Sequence, residues 1–388
     1  YMDDLNDVDS TQTGEGYVYF ADSGCTYTGE LYSSGALDTF TYDGEGLFTW
    51  PGSDLLGTFE NGAPVSGTKR FYAESENLTL TDHYEGQFSN WNYSGHGKYT
   101  FASGMYYEGE YVNGQREGEG IFTWSTDGNL ENGWLFEGTF KANKAYYGKT
   151  TTTKTEGLIW YEGYMNDLNN IDSTKVGEGY YDYGNGCWYK GEMTATGALD
   201  SCLFEGEGTF SWSAVLGEGV YLVGTFANSQ AVSGTKFWPT KSSGLVEYTG
   251  AFANTDSIDT AQAGSGKYVF ENGDTYEGGL QATAADGSAC TLTGTGLMTY
   301  AASELTGETF GLSGEAAAWK VSACYGQFAN GVLGGSAVWY FENADAPAGY
   351  LTGTFTGTER IGAVSDDFTF ELLAGYENFT DSAPVSEE

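Results

Sequence analysis

The segment Gly95-His-Gly-Lys-Tyr-Thr-Phe-Ala-Ser-Gly104-Met-Tyr-Tyr-Glu-Gly109-Glu-Tyr-Val-Asn-Gly114 decides the fold. Tyr99, Phe101, Tyr107 and Tyr111 alternate with other residues around a glycine turn, the period-2 signature of a β-hairpin. Glycines at fixed places admit positive φ and let the backbone approach an aromatic ring. The unit restarts at once as Gly118-Glu-Gly-Ile-Phe-Thr-Trp124, completed by Phe136-Glu-Gly138-Thr-Phe140. Other copies start at Gly14, Gly44, Gly177, Gly206, Gly264 and Gly294, and degenerate ones near Gly67, Gly148, Gly234, Gly334 and Gly362. Such periodicity means one supersecondary unit stacked on its neighbours, here about thirteen hairpins. A lone hairpin is marginal in water, so each takes its missing partners from the next. The fold expected is all-β, an elongated array roughly 120 Å long at ~4.8 Å per strand.

A longer duplication overlies the short repeat. Tyr1-Met-Asp-Asp-Leu-Asn-Asp-Val-Asp-Ser-Thr-Gln-Thr-Gly14 returns as Tyr164-Met-Asn-Asp-Leu-Asn-Asn-Ile-Asp-Ser-Thr-Lys-Val-Gly177, and Gly35-Ala-Leu-Asp38 returns as Gly197-Ala-Leu-Asp200. Two continuous blocks follow, residues 1–163 and 164–388.

The stretch Tyr107-Glu-Gly-Glu-Tyr-Val-Asn-Gly-Gln-Arg-Glu-Gly-Glu-Gly120 closely resembles the MORN repeat, and the resemblance extends over nearly the whole chain. It implies an intracellular scaffold, a dimerisation module or a membrane-associated assembly factor, with no catalysis in the repeats. The chain departs from the common type in its acidity and scarce lysine, which argues against phospholipid binding.

Composition narrows the function further. Asp plus Glu total 54 against 15 Lys plus Arg, a net charge of −39. Bare nucleic acid and anionic membranes both need a basic footprint, so neither is expected as a partner. Aromatics make up 16% of the chain, too many for a disordered acidic polymer. No apolar run is long enough for a transmembrane helix. The Gly-x-Gly motifs open strands, not helices, so they make no phosphate cradle. The only histidines, His83 and His96, lack a marked third metal ligand, and no GxSxG elbow accompanies them. No catalytic residue is assigned and no enzyme is expected. Trp91, Trp134, Trp188 and Trp319 read as core aromatics before they read as sugar platforms.

The ends carry the functional expectation. Tyr1-Met2 aligns with the tail of a strand, and Leu372-Leu-Ala-Gly-Tyr376 through Val385 resembles Leu55–Ser66, whose following hairpin is missing here. No cap is visible at either end, and open sheet edges invite pairing. A head-to-tail contact that does not close makes a filament, with Tyr1, Tyr17, Tyr19, Leu372, Leu373, Tyr376 and Val385 at the junction and copies of the chain as partners. The alternative is a non-polymerising scaffold for protein partners or glycans, which a basic patch or a clustered exposed aromatic surface would favour. Sequons at Asn77, Asn92 and Asn378, with low Lys and high Thr, Ser and Gly, suit an extracellular glycoprotein. Five cysteines without a CxxC allow disulfides Cys187–Cys202 and Cys290–Cys324, leaving Cys25 odd. Oxygen-rich loops containing Asp4, Asp7, Asp9, Asp172 and Asp259 could hold Ca²⁺, although Asp and Ser as turn formers explain them more simply.

Overall fold

The computed structural model describes residues 13–33, 39–73, 80–124, 133–212, 219–310, 317–343, 346–356 and 363–372. They form 27 β-strands and no α-helix, an all-β array of consecutive hairpins as the repeat implies. The chain divides into two compact units, residues 1–181 with 193–202, and residues 182–192 with 203–388. In the first, each long strand from Thr13–Phe20 to Gly157–Asp167 pairs antiparallel with the next in sequence. In the second, the same meander runs from Leu203, within the strand Cys202–Ser211, to the strand Ala363–Leu372.

Local chemistry sets the hairpins. Asn61-Gly62, Asn90-Trp91, Asn113-Gly114, Ala142-Asn143, Asn228-Ser229 and Asn330-Gly331 are two-residue turns with φ between 47° and 84° at both positions. These are type I′ turns, whose twist matches that of the flanking strands, and Asn and Gly are the residues that reach this region at least cost.

One glycine per strand then lines up across the sheet. In the first unit the register runs Gly16, Gly29, Gly46, Gly57, Gly67, Gly86, Gly97, Gly109, Gly120, Gly138, Gly148, Gly163, each directly opposite the next. In the second, Gly208, Gly224, Gly234 and Gly250 form one run, and Gly266, Gly278, Gly296, Gly326, Ala337 and Gly353 another. The ladder exists because an aromatic ring lies on it. Tyr84 sits two residues before Gly86, and a Cβ on Gly97 would lie 2.5 Å from its Cε2 and Cζ. Tyr27, Tyr107, Tyr189 and Tyr276 lie in the same way over Gly46, Gly120, Gly208 and Gly296. Each of these five rings is fully buried.

Lying flat over a glycine lets the ring reach past the adjacent strand to the one beyond. Tyr27 meets Phe59, Tyr84 meets Tyr111, Tyr107 meets Phe140, Tyr189 meets Phe226 and Tyr276 meets Phe328. All are edge-to-face contacts, with centroids 4.8–5.4 Å apart and interplanar angles of 78–88°. Edge-to-face geometry is favourable for aromatic quadrupoles, about 0.5–1.5 kcal/mol per pair beyond burial. In each unit the glycine-bearing face therefore carries interlocked rings at the heart of its core. The hydroxyls of the five tyrosines donate to the backbone carbonyl three residues on, at Glu30, Gln87, Glu110, Glu192 and Gly279, over 2.8–3.1 Å. The residue at that third position has a second role. The side chains of Glu30, Gln87, Glu110 and Glu192 fill the space beside Gly44, Gly95, Gly118 and Gly206, the positive-φ glycines that open the Gly-x-Gly motif. From there Gln87 and Glu192 accept the backbone N–H of His96 and Glu207, at 3.0 and 2.8 Å. Tyr-x-Gly-Glu and Gly-x-Gly are thus two halves of one joint.

Candidate assembly site

The strand Thr13–Phe20 is hydrogen-bonded along one edge, to Cys25–Ser33, and the strand Ala363–Leu372 along one edge, to Ala346–Thr356. Among the described residues no strand pairs with the other edge of either. Tyr17 and Tyr19 project from the first of these strands, 65% and 60% exposed, on the same alternation as Glu15. Of the other junction residues, Leu372 is the last residue of the strand Ala363–Leu372, opposite Gly349. Tyr1, Leu373, Tyr376 and Val385 lie outside the described residues.

The acidic loops are structural joints where they are described. Asn170–Ile171 and Ser257–Ile258 are two-residue strands folded back on Gly157–Asp167 and Gly244–Asn254. Asp172 accepts the backbone N–H and hydroxyl of Thr174, at 3.0 and 2.7 Å, which holds its carboxyl below the usual range. Asp259 accepts the N–H of Ala261 and the amide of Gln262. Each loop also anchors a tryptophan: Trp124 donates its indole N–H to Asn169, and Trp212 donates to Asp256 at 2.8 Å. Both carboxylates therefore serve their own turns, and among the described residues no group of three or more His, Cys, Asp or Glu could hold a metal. Asp4, Asp7 and Asp9 lie outside the described residues. The loops have a cost that the sequence does not reveal. The backbone N–H groups of Asp172 and Asp259 take the carbonyls of Tyr164 and Ala251, the acceptors that the hydroxyls of Tyr161 and Tyr248 use in the other copies. Those two hydroxyls are buried without a partner.

Asn92 is exposed at the end of the Asn90-Trp91 turn, where its side chain donates to the Asn90 carbonyl. Asn77 and Asn378 lie outside the described residues. The expected Cys290–Cys324 bridge needs correction. Cys324 faces Met298, eight residues along the strand from Cys290, so about 25 Å of extended chain separates the two. A disulfide needs Cα atoms within about 7 Å. Cys324 is instead buried beside Trp339 on the next strand, its thiol pKa pushed far up by burial. The expected Cys187–Cys202 bridge needs the same correction: Gly191 faces Gly208, which puts Cys187 about ten residues along the paired strand from Cys202, neither is disulfide-bonded, and the Cys202 thiol donates to the Leu199 carbonyl at 2.8 Å. His83 is half-buried opposite Thr100, and His96 is exposed four residues away on that neighbouring strand, about 13 Å distant.

The degenerate copies place lysine where others hold a core aromatic. Lys69 and Lys236 follow Gly67-Thr and Gly234-Thr at the position of Tyr99 after Gly97-Lys. Lys69 lies over Trp50 at 4.8 Å, and Lys236 over Trp212 at 3.9 Å. Burial lowers both pKa values, that of Lys236 to about 8, against the opposing pull of Asp256 and Asp286. A ring face can hold a cation where no carboxylate is in contact.

Comparison with known families agrees with this geometry. The MORN repeat model matches residues 84–106, 107–128 and 261–275, the first two starting on the ladder tyrosines Tyr84 and Tyr107. The chain carries MORN repeats and is a repeat scaffold. No curated protein matches it.

Proposed function

We propose that the chain is a non-catalytic structural protein whose copies join head to tail, the strand Ala363–Leu372 of one pairing with Thr13–Phe20 of the next. The observation that carries this reading is the pair of strands hydrogen-bonded on one edge only among the described residues. Unpaired strand edges template further pairing, and a contact between two different edges adds copies without closing. The net charge of −39 opposes non-specific bundling and disfavours nucleic acid and anionic membranes as partners. The filament is extracellular and glycosylated at Asn92, whose exposed turn admits a glycan, with Asn77 and Asn378 as further acceptors.

Electron microscopy of the purified chain across a concentration series tests this. Threads that lengthen with concentration are expected. Tyr17→Pro and Val18→Pro each remove one backbone donor, and the one whose N–H points away from Cys25–Ser33 should shorten the threads. Discrete particles at every concentration defeat the proposal. Loss of mass on glycosidase treatment, absent in Asn92→Gln, checks the glycan. A scaffold that captures partners without polymerising is the second reading, favoured by an exposed cluster of lysines and tyrosines in the first unit.

A further inference from the structure

That cluster is unusual in so acidic a chain. Residues 141–175 hold five of the 15 basic residues, Lys141, Lys144, Lys149, Lys154 and Lys175, with four acidic ones. None of the five takes part in an ion pair found among the described residues. Four lie over aromatic rings instead. Lys141 sits 3.4 Å from the centroid of Tyr146, Lys175 5.8 Å from Tyr164, Lys149 4.6 Å from Trp160 and Lys154 5.8 Å from Trp134. Tyr146 and Tyr147 both pack on Tyr164, with centroids 5.6 and 4.9 Å away, yet remain 39% and 42% exposed. Lys141, Tyr146, Tyr147, Tyr164 and Lys175 thus form a cationic and aromatic cluster at one end of the last three long strands of the first unit's meander, while Lys149 stands in register between Glu137 and Glu162.

The opposite character marks that unit's first three strands. Residues 1–68 contain twelve Asp and Glu and no Lys or Arg. Glu15 lies directly opposite Glu30, and Glu45 lies on the next strand at the register shift that faces Glu30. Like charges in direct cross-strand register repel. Among the described residues no cation pairs with any of the three. Exposed Tyr17 and Tyr19 stand beside them.

We propose that the Lys141–Tyr146–Tyr164–Lys175 surface of one copy docks on the Glu15–Glu30–Glu45 face of a second copy. Charge complementarity selects that occupant: among the described residues neither surface forms an ion pair within its own chain, and each supplies the charge that the other would pair with. Exposed tyrosines on both sides give the contact apolar area at little entropic cost. This face-to-face contact is independent of edge pairing, and salt separates the two. Screening weakens attraction between opposite charges, whereas it strengthens edge pairing between copies that repel at −39 each.

Sedimentation of the full chain between about 50 and 500 mM salt is the test. Lys141→Glu with Lys175→Glu forms one variant, Glu15→Lys with Glu45→Lys the other, and unchanged melting curves confirm that both fold. The wild-type association should weaken with salt, and each variant alone should associate at least about tenfold more weakly at low salt. An equimolar mixture of the two should recover association to within about threefold of wild type, because the reversed surfaces complement each other. A mixture no stronger than either variant, or a wild-type association that salt does not weaken, overturns the inference. Heparin binding that depends on Lys141 and Lys175, with self-association unaffected by either variant, also overturns it, making the patch a polysaccharide site.

Discussion

Gly97→Ala isolates the principle on which this fold rests. Gly97 is extended and has no positive-φ requirement, so any effect of a methyl group there is steric. The added Cβ would lie 2.5 Å from Cε2 and Cζ of Tyr84 and closer still to its Oη, whereas ordinary carbon contacts begin near 3.4 Å. The ring must move by about 1 Å or more, and it has no free side to move to. It stacks on Tyr93 at 3.9 Å, meets Tyr111 edge-on at 5.4 Å, and donates to the Gln87 carbonyl at 2.8 Å. Overpacking costs about 1–3 kcal/mol, the lost edge-to-face pair about 1, and the strained hydrogen bond about 1. A total of roughly 3–5 kcal/mol should lower the melting temperature of the first unit by on the order of 10 °C. Calorimetry gives the shift, and hydrogen exchange on the strands Leu80–Ser89, Asn92–Thr100 and Tyr106–Val112 shows whether the loss is local. Tyr84→Leu removes the obstructing atoms, so Gly97→Ala should cost far less in that background and the two changes should be strongly non-additive. Additive costs would show that the ladder glycines are not there to admit the ring. Gly334→Ala, where a Cβ meets nothing within 4 Å and φ is not positive, is the neutral control.

Removing single tyrosine hydroxyls should sort the repeats. Tyr107→Phe loses the bond to the Glu110 carbonyl and should cost about 1 kcal/mol, whereas Tyr161→Phe and Tyr248→Phe discard hydroxyls with no partner and should be neutral or stabilising by up to about 1 kcal/mol, as read from melting curves. Raised pH should unfold the array together with its tyrosines. Burial pushes Tyr27, Tyr93 and Tyr276 up to about 12 from 10, so the stability they confer is intact below pH 10 and falls as the unfolded chain ionises first. Tyrosinate absorbance should therefore rise in step with loss of the β-sheet circular dichroism. Lys236 behaves in the opposite sense. Its pKa in the fold is near 8, below the ordinary 10.5, so its burial penalty is greatest at neutral pH and relaxes as pH rises between those values. Lys236→Met should stabilise the second unit at pH 7 and lose that advantage by about pH 10.5.

The sequence makes the hairpins legible because their signals are local. Asn-Gly turns, period-2 aromatics and paired glycines all act within about twenty residues, the reach of pattern reading. What lies two strands away is not legible. Nothing in Tyr84-Glu-Gly86 says that its ring will cross Gly97 to meet Tyr111. The same limit applies to Cys290 and Cys324, which flank neighbouring copies in the sequence and stand eight register steps apart in the sheet. The Asp172 and Asp259 loops were read from composition as oxygen-rich, while their buried partners, Trp124 and Trp212, are more than forty residues away. The lysines of residues 141–175 are countable in the sequence, but the packing of Lys141 on Tyr146 and of Lys175 on Tyr164 is not.

The repeat motif divides the molecule between maintenance and variation. The aromatic before each ladder glycine, the glycine itself and the Glu or Gln beyond it are committed to the joint that holds successive strands. Side chains next to the ladder glycines point to the other face of the sheet, because strands alternate. Those positions are free to differ, and they do. They are Glu15 and Glu45 at one end of the first unit, and Tyr147, Lys149, Glu162 and Tyr164 at the other. In the second unit they become Thr209, Val223, Thr235, Thr249 and Ser265, a nearly uncharged row in direct cross-strand register. A matching variant set follows. Charge reversals on this face should alter association while leaving melting temperature nearly unchanged, and alanine on the ladder should do the reverse. If Glu45→Lys destabilised the fold as much as Gly97→Ala, the two faces would not be separable, and the outer face would lose its claim to be where this chain meets its partners.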